Sequence, residues 1–266
     1  MQLLVFVYAL VGAVLFYGMP DALDLVVTIA MAIGAIVGMA IMGGKKLIAF
    51  DRKAICESFR QGIWYFGTSA AIFLLSIGFS LTDETFVVSD GWPLRLVQTL
   101  LLCVGIGVAE EGVFRGLQLG GLLDVLGRTK RGVVVAVLVS SLLFGLAHVD
   151  PTTISLAEPI TLVQAILKVV QTGEMGFLLA TIVLRTGNIM GGAALHAIGD
   201  FLIMFTGIVL QGESTEISYV STGDDALYVA GFYLFVILLY IPMVVRGIRL
   251  LRNTKAPHHG AFHRGD

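Results

Sequence analysis

The sequence has little charge and few cysteines. Of its 266 residues, 14% are charged and 57% are hydrophobic. A soluble domain usually carries about 25% charged residues, which cover its surface, and disordered chains, coiled coils and basic nucleic-acid-binding proteins need more charge than this sequence has. The net charge of −2 indicates no polyanionic partner, so we expect no nucleic acid to bind. Two cysteines, Cys56 and Cys103, form neither a disulfide framework nor a zinc-ligand pattern. The class that remains is an integral membrane protein.

Long apolar stretches follow one another along the whole chain. The first one lacks the basic residues that begin a cleaved signal peptide, so we expect it to remain as a membrane span. A spanning helix needs about 20 mostly apolar residues, and about eight stretches satisfy this requirement, at residues 1–18, 25–43, 63–82, 94–126, 132–149, 159–185, 188–210 and 227–245. The sequence therefore predicts an all-α fold, a polytopic integral membrane bundle of about eight transmembrane helices.

The charges of the connectors alternate in sign along the chain. Basic residues lie in 44–62, in 127–131, at Arg185 and in the tail after residue 245, whereas Asp and Glu occupy the other connectors. Because Lys and Arg are enriched in the cytoplasmic loops of membrane proteins, we expect both termini in the cytoplasm, as an even number of spans requires. The compact chain favours a prokaryotic plasma membrane.

Ionisable side chains interrupt three of the predicted spans. A charged side chain at the centre of a bilayer costs from about 3 to more than 10 kcal/mol, so it must face a partner or a water-filled cavity. These residues are Glu110, Glu111 and Arg115 in the fourth span, His148 at the end of the fifth, and His196 and Asp200 in the seventh. Any one pair is compatible with a link between helices alone, but the whole set favours a shared site.

Helical spacing predicts which of these side chains touch. Glu110 lies about 100° around its helix from Glu111. It has no cation nearby in sequence and needs a partner from another span. Three pairs are four residues apart and therefore share a helix face, namely Glu111 with Arg115, Phe144 with His148, and His196 with Asp200.

The residue types suit hydrolysis. A carboxylate and an imidazole beside one water form a general-base pair, and a second imidazole can stabilise the oxyanion that forms when the water attacks a carbonyl. No serine or cysteine stands in a nucleophile motif. As an alternative, Glu110, His148 and His196 are competent ligands for a divalent metal such as zinc. Because no HExxH spacing occurs, we expect the site to work without a cofactor.

Read in order, three motifs resemble a known family. EEGVFR (110–115) matches EExxxR, FGLAH (144–148) matches FxxxH, and HAIGD (196–200) matches HxxxN/D. Together they are similar to the CPBP family of intramembrane proteases, which includes type II CAAX prenyl endopeptidases and bacteriocin-processing or immunity proteins. The resemblance covers about residues 95–205. We accordingly divide the chain into residues 1–92 with the first three spans, a catalytic core at 93–210, and the last span with a cytoplasmic tail at 211–266.

The resemblance implies a glutamate-dependent endopeptidase that cleaves a peptide or membrane-protein substrate inside the bilayer. A carboxylate donates a hydrogen bond only when it is protonated, so we expect Asp200 to act mainly through His196. The implied roles are general base for Glu110, its assistance by His148, oxyanion stabilisation by His196 and Asp200, and positioning by Glu111 and Arg115. Two alternatives stay open, a non-catalytic binding or immunity protein of the same family and a proton-coupled transporter with a carboxylate and histidine relay.

Overall fold

The computed structural model describes residues 21–214 and 219–254, so the predicted first span and the end of the tail lie outside the described residues. The α-helices of the described residues are α1 (Asp21–Ile41), α2 (Arg52–Gln61), α3 (Ile63–Thr82), α4 (Trp92–Glu110), α5 (Gly120–Leu126), α6 (Lys130–Leu146), α7 (Pro159–Thr186), α8 (Met190–Met204) and α9 (Ala226–Asn253). Two π-helical segments, Glu111–Leu119 and Phe205–Gln211, continue α4 and α8.

Most of these helices are long and apolar enough to cross a membrane. Six stretches of the described chain have the length and composition of spans, at Asp24–Ile41, Ile63–Thr82, Trp92–Leu126, Pro159–Thr186, Met190–Gln211 and Gly223–Asn253. A further helix, α6, has 17 residues, which is the lower end of the length that a span needs. The predicted all-α polytopic bundle is confirmed, with eight as an approximate number of spans.

Two local features differ from the prediction. The connector 44–62 contains α2, because Asp51 caps it by accepting hydrogen bonds from the backbone amides of Lys53 at 2.8 Å and Ala54 at 3.2 Å. Because α2 is short and polar, it was not among the apolar stretches predicted from the sequence. The predicted fifth span also ends early, since α6 stops at Leu146 and His148 lies in the turn that follows.

The helix α4 packs between α1 and α8. Small residues allow the backbones of these helices to come close together. A Cβ atom on Gly107 would lie 2.5 Å from the backbone oxygen of Ala193 in α8, and one on Gly112 would lie 2.7 Å from Cβ of Ala35 in α1. The contact between α4 and α8 sets the first motif beside the third.

The turn between α7 and α8 fixes where α8 begins. The helix α7 ends at Gly187, whose φ of +65° is the left-handed conformation that glycine adopts easily. The side-chain amide of Asn188 then donates to the backbone oxygens of Lys46 at 3.2 Å and Ala49 at 2.8 Å. These bonds tie the start of α8 to the connector after α1.

Candidate active site

The six predicted site residues come together in one region. They are brought there by α4 with its π-helical continuation, by the turn after α6 and by α8. A local π-helix often marks a functional site, because it displaces side chains from regular helical positions. The residues are Glu110 at the end of α4, Glu111 and Arg115 in the π-helical segment, His148 beyond α6, and His196 and Asp200 in α8.

Glu111 holds two partners with one carboxylate oxygen. Its Oε1 lies 3.1 Å from Nη1 of Arg115 and 3.1 Å from Nδ1 of His196. The exposed fractions of the three side chains are 0% for Glu111, 1% for Arg115 and 2% for His196. An ionised carboxylate only accepts hydrogen bonds, so Nδ1 of His196 carries the hydrogen in this contact. The contact of Glu111 with His196 joins α4 and α8.

Arg115 also contacts the two neighbouring helices α6 and α7. Its guanidinium carbon lies 4.0 Å from the centre of the Phe144 ring, a cation–π contact. Its Nη2 donates to the backbone oxygen of Gly176 at 3.3 Å. A Cβ atom on Gly176 would lie 2.9 Å from the Phe144 ring, so this position favours glycine. Sequence spacing gave no indication of Gly176, because α7 carries none of the three motifs.

His148 has a defined ring orientation. Its Nδ1 lies 2.7 Å from the backbone oxygen of Phe144. A carbonyl oxygen only accepts, so Nδ1 is the donor, and in the neutral ring Nε2 is left as an acceptor. The ring centres of Phe144 and His148 are 4.5 Å apart, which confirms the predicted contact of this pair. The basic nitrogen of His148 therefore faces the carboxylate of Glu110.

The carboxylate of Glu110 lies between two imidazoles. Its Oε2 is 3.5 Å from Nε2 of His148 and 3.7 Å from Nε2 of His196. The side chain is 29% exposed, but its Oε2 is buried and forms no hydrogen bond with the described residues. These separations exceed a direct hydrogen bond, and catalytic groups commonly tighten only when substrate binds.

Asp200 contacts the same face of His196 as Glu110 does. Its Oδ2 lies 3.4 Å from Nε2 of His196, so the contact predicted from the spacing of this pair is present. The imidazole of His196 thus has Glu111 at Nδ1 and both other carboxylates near Nε2. In the described part of the chain, no three His, Cys, Asp or Glu side chains are arranged to hold a metal ion.

A second glutamate–arginine pair lies outside the membrane-spanning segments. Glu57 and Arg60 in α2 approach to 2.7 Å, and the Arg60 side chain is 66% exposed. Glu57 also accepts from Gln61 at 2.7 Å and lies 3.7 Å from Arg185 in α7. The hydrogen bond from Arg60 is the main cause that lowers the pKa of Glu57 from its usual value. This pair is a natural reference for the buried one.

Comparison with known proteins gives one match. A family model described as type II CAAX prenyl endopeptidase Rce1-like matches residues 92–202. The matched range is less than half of the chain, and it contains every predicted site residue. No curated protein and no solved structure matches the chain.

Proposed function

We propose that this chain is an intramembrane protease of the CPBP family, as the family match at residues 92–202 supports, and that it hydrolyses a peptide bond with a water activated by Glu110 and His148. The observation that carries the proposal is the position of the Glu110 carboxylate, 3.5 Å from His148 and 3.7 Å from His196 at the end of a partly exposed side chain. Membership of a protease family implies a peptide or membrane-protein substrate and a hydrolase reaction in the membrane.

Glu110 as a carboxylate and His148 as a neutral imidazole can hold one water between them. An ionised carboxylate and the Nε2 of a neutral imidazole are both acceptors, so a water can donate one hydrogen to each and direct a lone pair at the substrate carbonyl. As the carbon–oxygen bond forms, Glu110 takes the proton as general base. It returns that proton to the amine nitrogen when the carbon–nitrogen bond breaks. No covalent enzyme intermediate is required.

His196 is the proposed donor to the oxyanion. Its Nδ1 hydrogen is already directed at Glu111, so the ring offers a second hydrogen at Nε2 when it is the imidazolium. Asp200 lies 3.4 Å from that nitrogen and orients it. In this proposal Asp200 is a positioning residue, because an ionised carboxylate repels an oxyanion.

Glu111 and Arg115 are proposed as positioning residues as well. Both are almost fully buried, whereas the side chain of Glu110 is 29% exposed. Arg115 balances the charge of Glu111 and connects it to Phe144 and Gly176. The pair thereby holds His196 at the right place for the reaction.

We propose that the reaction needs no metal. The side chains Glu110, His148 and His196 supply base and oxyanion donor themselves. Cleavage by the purified protein is expected to persist after treatment with a strong chelator such as EDTA. Loss of cleavage that added zinc restores would instead make these three residues metal ligands.

The proposed location is a prokaryotic plasma membrane with both termini in the cytoplasm. Exposed residues give a direct test, with Cys56 first replaced by serine. A cysteine at Glu84, in an acidic connector, is expected to react with a membrane-impermeant maleimide in intact cells, and one at Lys53, in a basic connector, only after lysis. The reverse pattern would invert the proposed topology.

Comparative peptidomics tests the proposed function against its alternatives. Cells that carry the wild-type protein are expected to contain peptides with new ends that are missing from cells carrying Glu110→Gln, with both proteins present in equal amount. A non-catalytic binding protein or a transporter produces no such difference. Identical peptide patterns would therefore remove the protease assignment, and a difference would also identify the substrate.

A further inference from the structure

A cationic side chain beside the site has no part in the proposed reaction. Lys168 lies on α7 and is partly buried. The next residue on α7, Val169, packs against the end of α6 that leads to His148, since a Cβ atom on Gly145 would lie 2.4 Å from the backbone oxygen of Val169. Its Nζ donates to Oε1 of Gln171 at 3.2 Å. Among the described residues, its ammonium forms no ion pair with a carboxylate.

Two aromatic rings border the Lys168 ammonium. Nζ lies 4.5 Å from the centre of the Tyr219 ring and 5.7 Å from that of Tyr233. The Tyr233 hydroxyl donates to the backbone oxygen of Tyr219 at 2.8 Å, which holds the two tyrosines together. One turn earlier on α7, the buried Gln164 side chain donates to the backbone oxygen of Ala226 at 2.7 Å. The surroundings of Lys168 are therefore built by α7 and α9 together.

We infer that Lys168 forms a subsite for a carboxylate of the peptide substrate, either its C-terminal carboxylate or an Asp or Glu side chain. This inference rests on the proposed protease function. An ammonium group has three donor hydrogens, and Gln171 accepts one of them. The rings leave the cation attractive to an anion, because a cation–π contact does not neutralise its charge.

The negative charge of the active site explains why an anionic substrate would need a cation nearby. Glu110, Glu111 and Asp200 place three carboxylates in a small volume, and Arg115 is bonded to Glu111. When Arg115 and a charged His196 are counted against the three carboxylates, one negative charge remains. This charge repels an anionic peptide that approaches Glu110 unless a further cation lies on its path. Lys168 supplies such a cation, because it forms no ion pair among the described residues and lies on α7 next to Val169, which packs against Gly145 before His148.

A purely structural role for Lys168 predicts a different outcome from a substrate subsite. If Lys168 only fastens α7 to α9, its removal lowers the cleavage of all peptides by the same factor. If it binds a substrate carboxylate, its removal changes the ratio of cleavage rates between peptides with and without that carboxylate. The ratio therefore distinguishes the two roles even when a variant is less stable.

The test uses the purified full chain and synthetic peptides with the sequence that peptidomics identifies. One peptide has a free C-terminal carboxylate, a second has a C-terminal amide, and a third has its Asp and Glu residues replaced by Asn and Gln. We expect the wild type to favour the matching carboxylate peptide by about tenfold in kcat/KM, the size of one hydrogen bond to a charged group. The peptide that loses its advantage shows which carboxylate is bound.

Variants show whether Lys168 causes the preference for the carboxylate peptide. Lys168→Gln is expected to bring the ratio close to one, and Lys168→Arg to retain most of it. Lys130→Gln is the matched control, since Lys130 also lies on a helix but donates to backbone oxygens at the end of α9, including that of Arg252 at 3.2 Å. Its ratio should equal that of the wild type.

The outcomes separate this inference from the proposed function. Equal wild-type rates for all three peptides, or a preference that survives in Lys168→Gln, would overturn the subsite and leave the protease assignment intact. Absence of any Glu110-dependent cleavage would overturn the protease assignment, and the subsite with it. The comparison of peptides by the wild type needs no variant, so it stands even if Lys168→Gln fails to fold.

Discussion

Glu110 and Glu111 are adjacent in sequence and both contact His196, but their surroundings differ. Glu111 is completely buried and lies 3.1 Å from both Arg115 and His196. Glu110 is 29% exposed and lies at 3.5 Å and 3.7 Å from its two imidazole neighbours. We therefore expect Glu111 to hold the structure of the site and Glu110 to take part in the reaction, although both residues are glutamates.

This division has a physical basis in the cost of buried charge. A buried ion pair contributes little net stability, but removal of one partner leaves an uncompensated charge. Glu110 has no ion pair as short as that of Glu111, so its replacement by glutamine leaves no such uncompensated charge behind. Variants around Glu111 are therefore expected to affect folding and activity together, and variants around Glu110 to affect activity alone.

The largest expected effect is that of Arg115→Ala. It leaves Glu111 buried without its cation, which is expected to cost about 3–5 kcal/mol of unfolding free energy and to abolish cleavage. The unfolding of the purified protein in detergent measures the first effect and a peptide assay the second. Arg60→Ala is the matched control, because the Glu57–Arg60 pair is shorter but lies nearer to solvent, so a much smaller loss of stability and unchanged cleavage are expected. A stable and active Arg115→Ala protein would contradict the positioning role.

His148→Ala is expected to act on the reaction more than on the fold. His148 lies beyond the end of α6 with an exposed fraction of 18%, and its Nε2 is the proposed acceptor for the water. Loss of a general-base partner lowers the rate by about 10²–10⁴-fold, while the unfolding transition is expected to stay close to that of the wild type. Unchanged cleavage would remove His148 from the mechanism and leave Glu110 as its only base.

Gly107→Ala tests the helix contact that brings the motifs together. The added Cβ atom would lie 2.5 Å from the backbone oxygen of Ala193, and such overpacking costs about 1–3 kcal/mol. We expect lower stability and, because α4 and α8 move apart, slower cleavage. Gly67→Ala in α3 is the control, since nothing lies within 4 Å of its added Cβ. Equal stability of the two variants would mean that α4 and α8 tolerate a wider separation.

The smallest expected effect concerns Glu57 and its dependence on pH. The hydrogen bond from Arg60 lowers the pKa of Glu57 below its ordinary value of 4.5. A lowered carboxyl pKa contributes stability that is present above the ordinary value and is lost as the pH falls through the pKa of the folded protein. Glu57→Gln is therefore expected to cost at most about 1 kcal/mol at pH 7 and less at pH 4. If Glu57→Gln instead cost more stability as the pH falls, the pKa of Glu57 would be raised in the folded protein, contrary to this prediction.

Part of the site could be predicted because helices fix the positions of nearby residues. Glu111 and Arg115, Phe144 and His148, and His196 and Asp200 all touch as the four-residue spacing predicts. The composition also predicted the membrane bundle, since apolar helices of this length have few other stable environments.

Contacts between helices could not be predicted in the same way. Glu111 meets His196 across 85 positions, and Arg115 reaches Gly176 across 61. Such contacts depend on which faces of the spans pack together, and a span that is apolar all round gives no periodic signal of its buried face. The π-helical segment and α2 were missed for a related reason, because neither changes the hydrophobic pattern of its region.

The most direct test of the account is to measure cleavage and unfolding for Glu110→Gln beside Glu174→Gln. Both residues are partly buried glutamates in apolar helices, and each has an Oε2 without a hydrogen-bond partner among the described residues. We expect Glu110→Gln to lose cleavage while it unfolds like the wild type. Glu174→Gln is expected to retain both cleavage and the wild-type unfolding transition. Cleavage by Glu110→Gln at the wild-type rate would contradict the central claim that Glu110 activates the water.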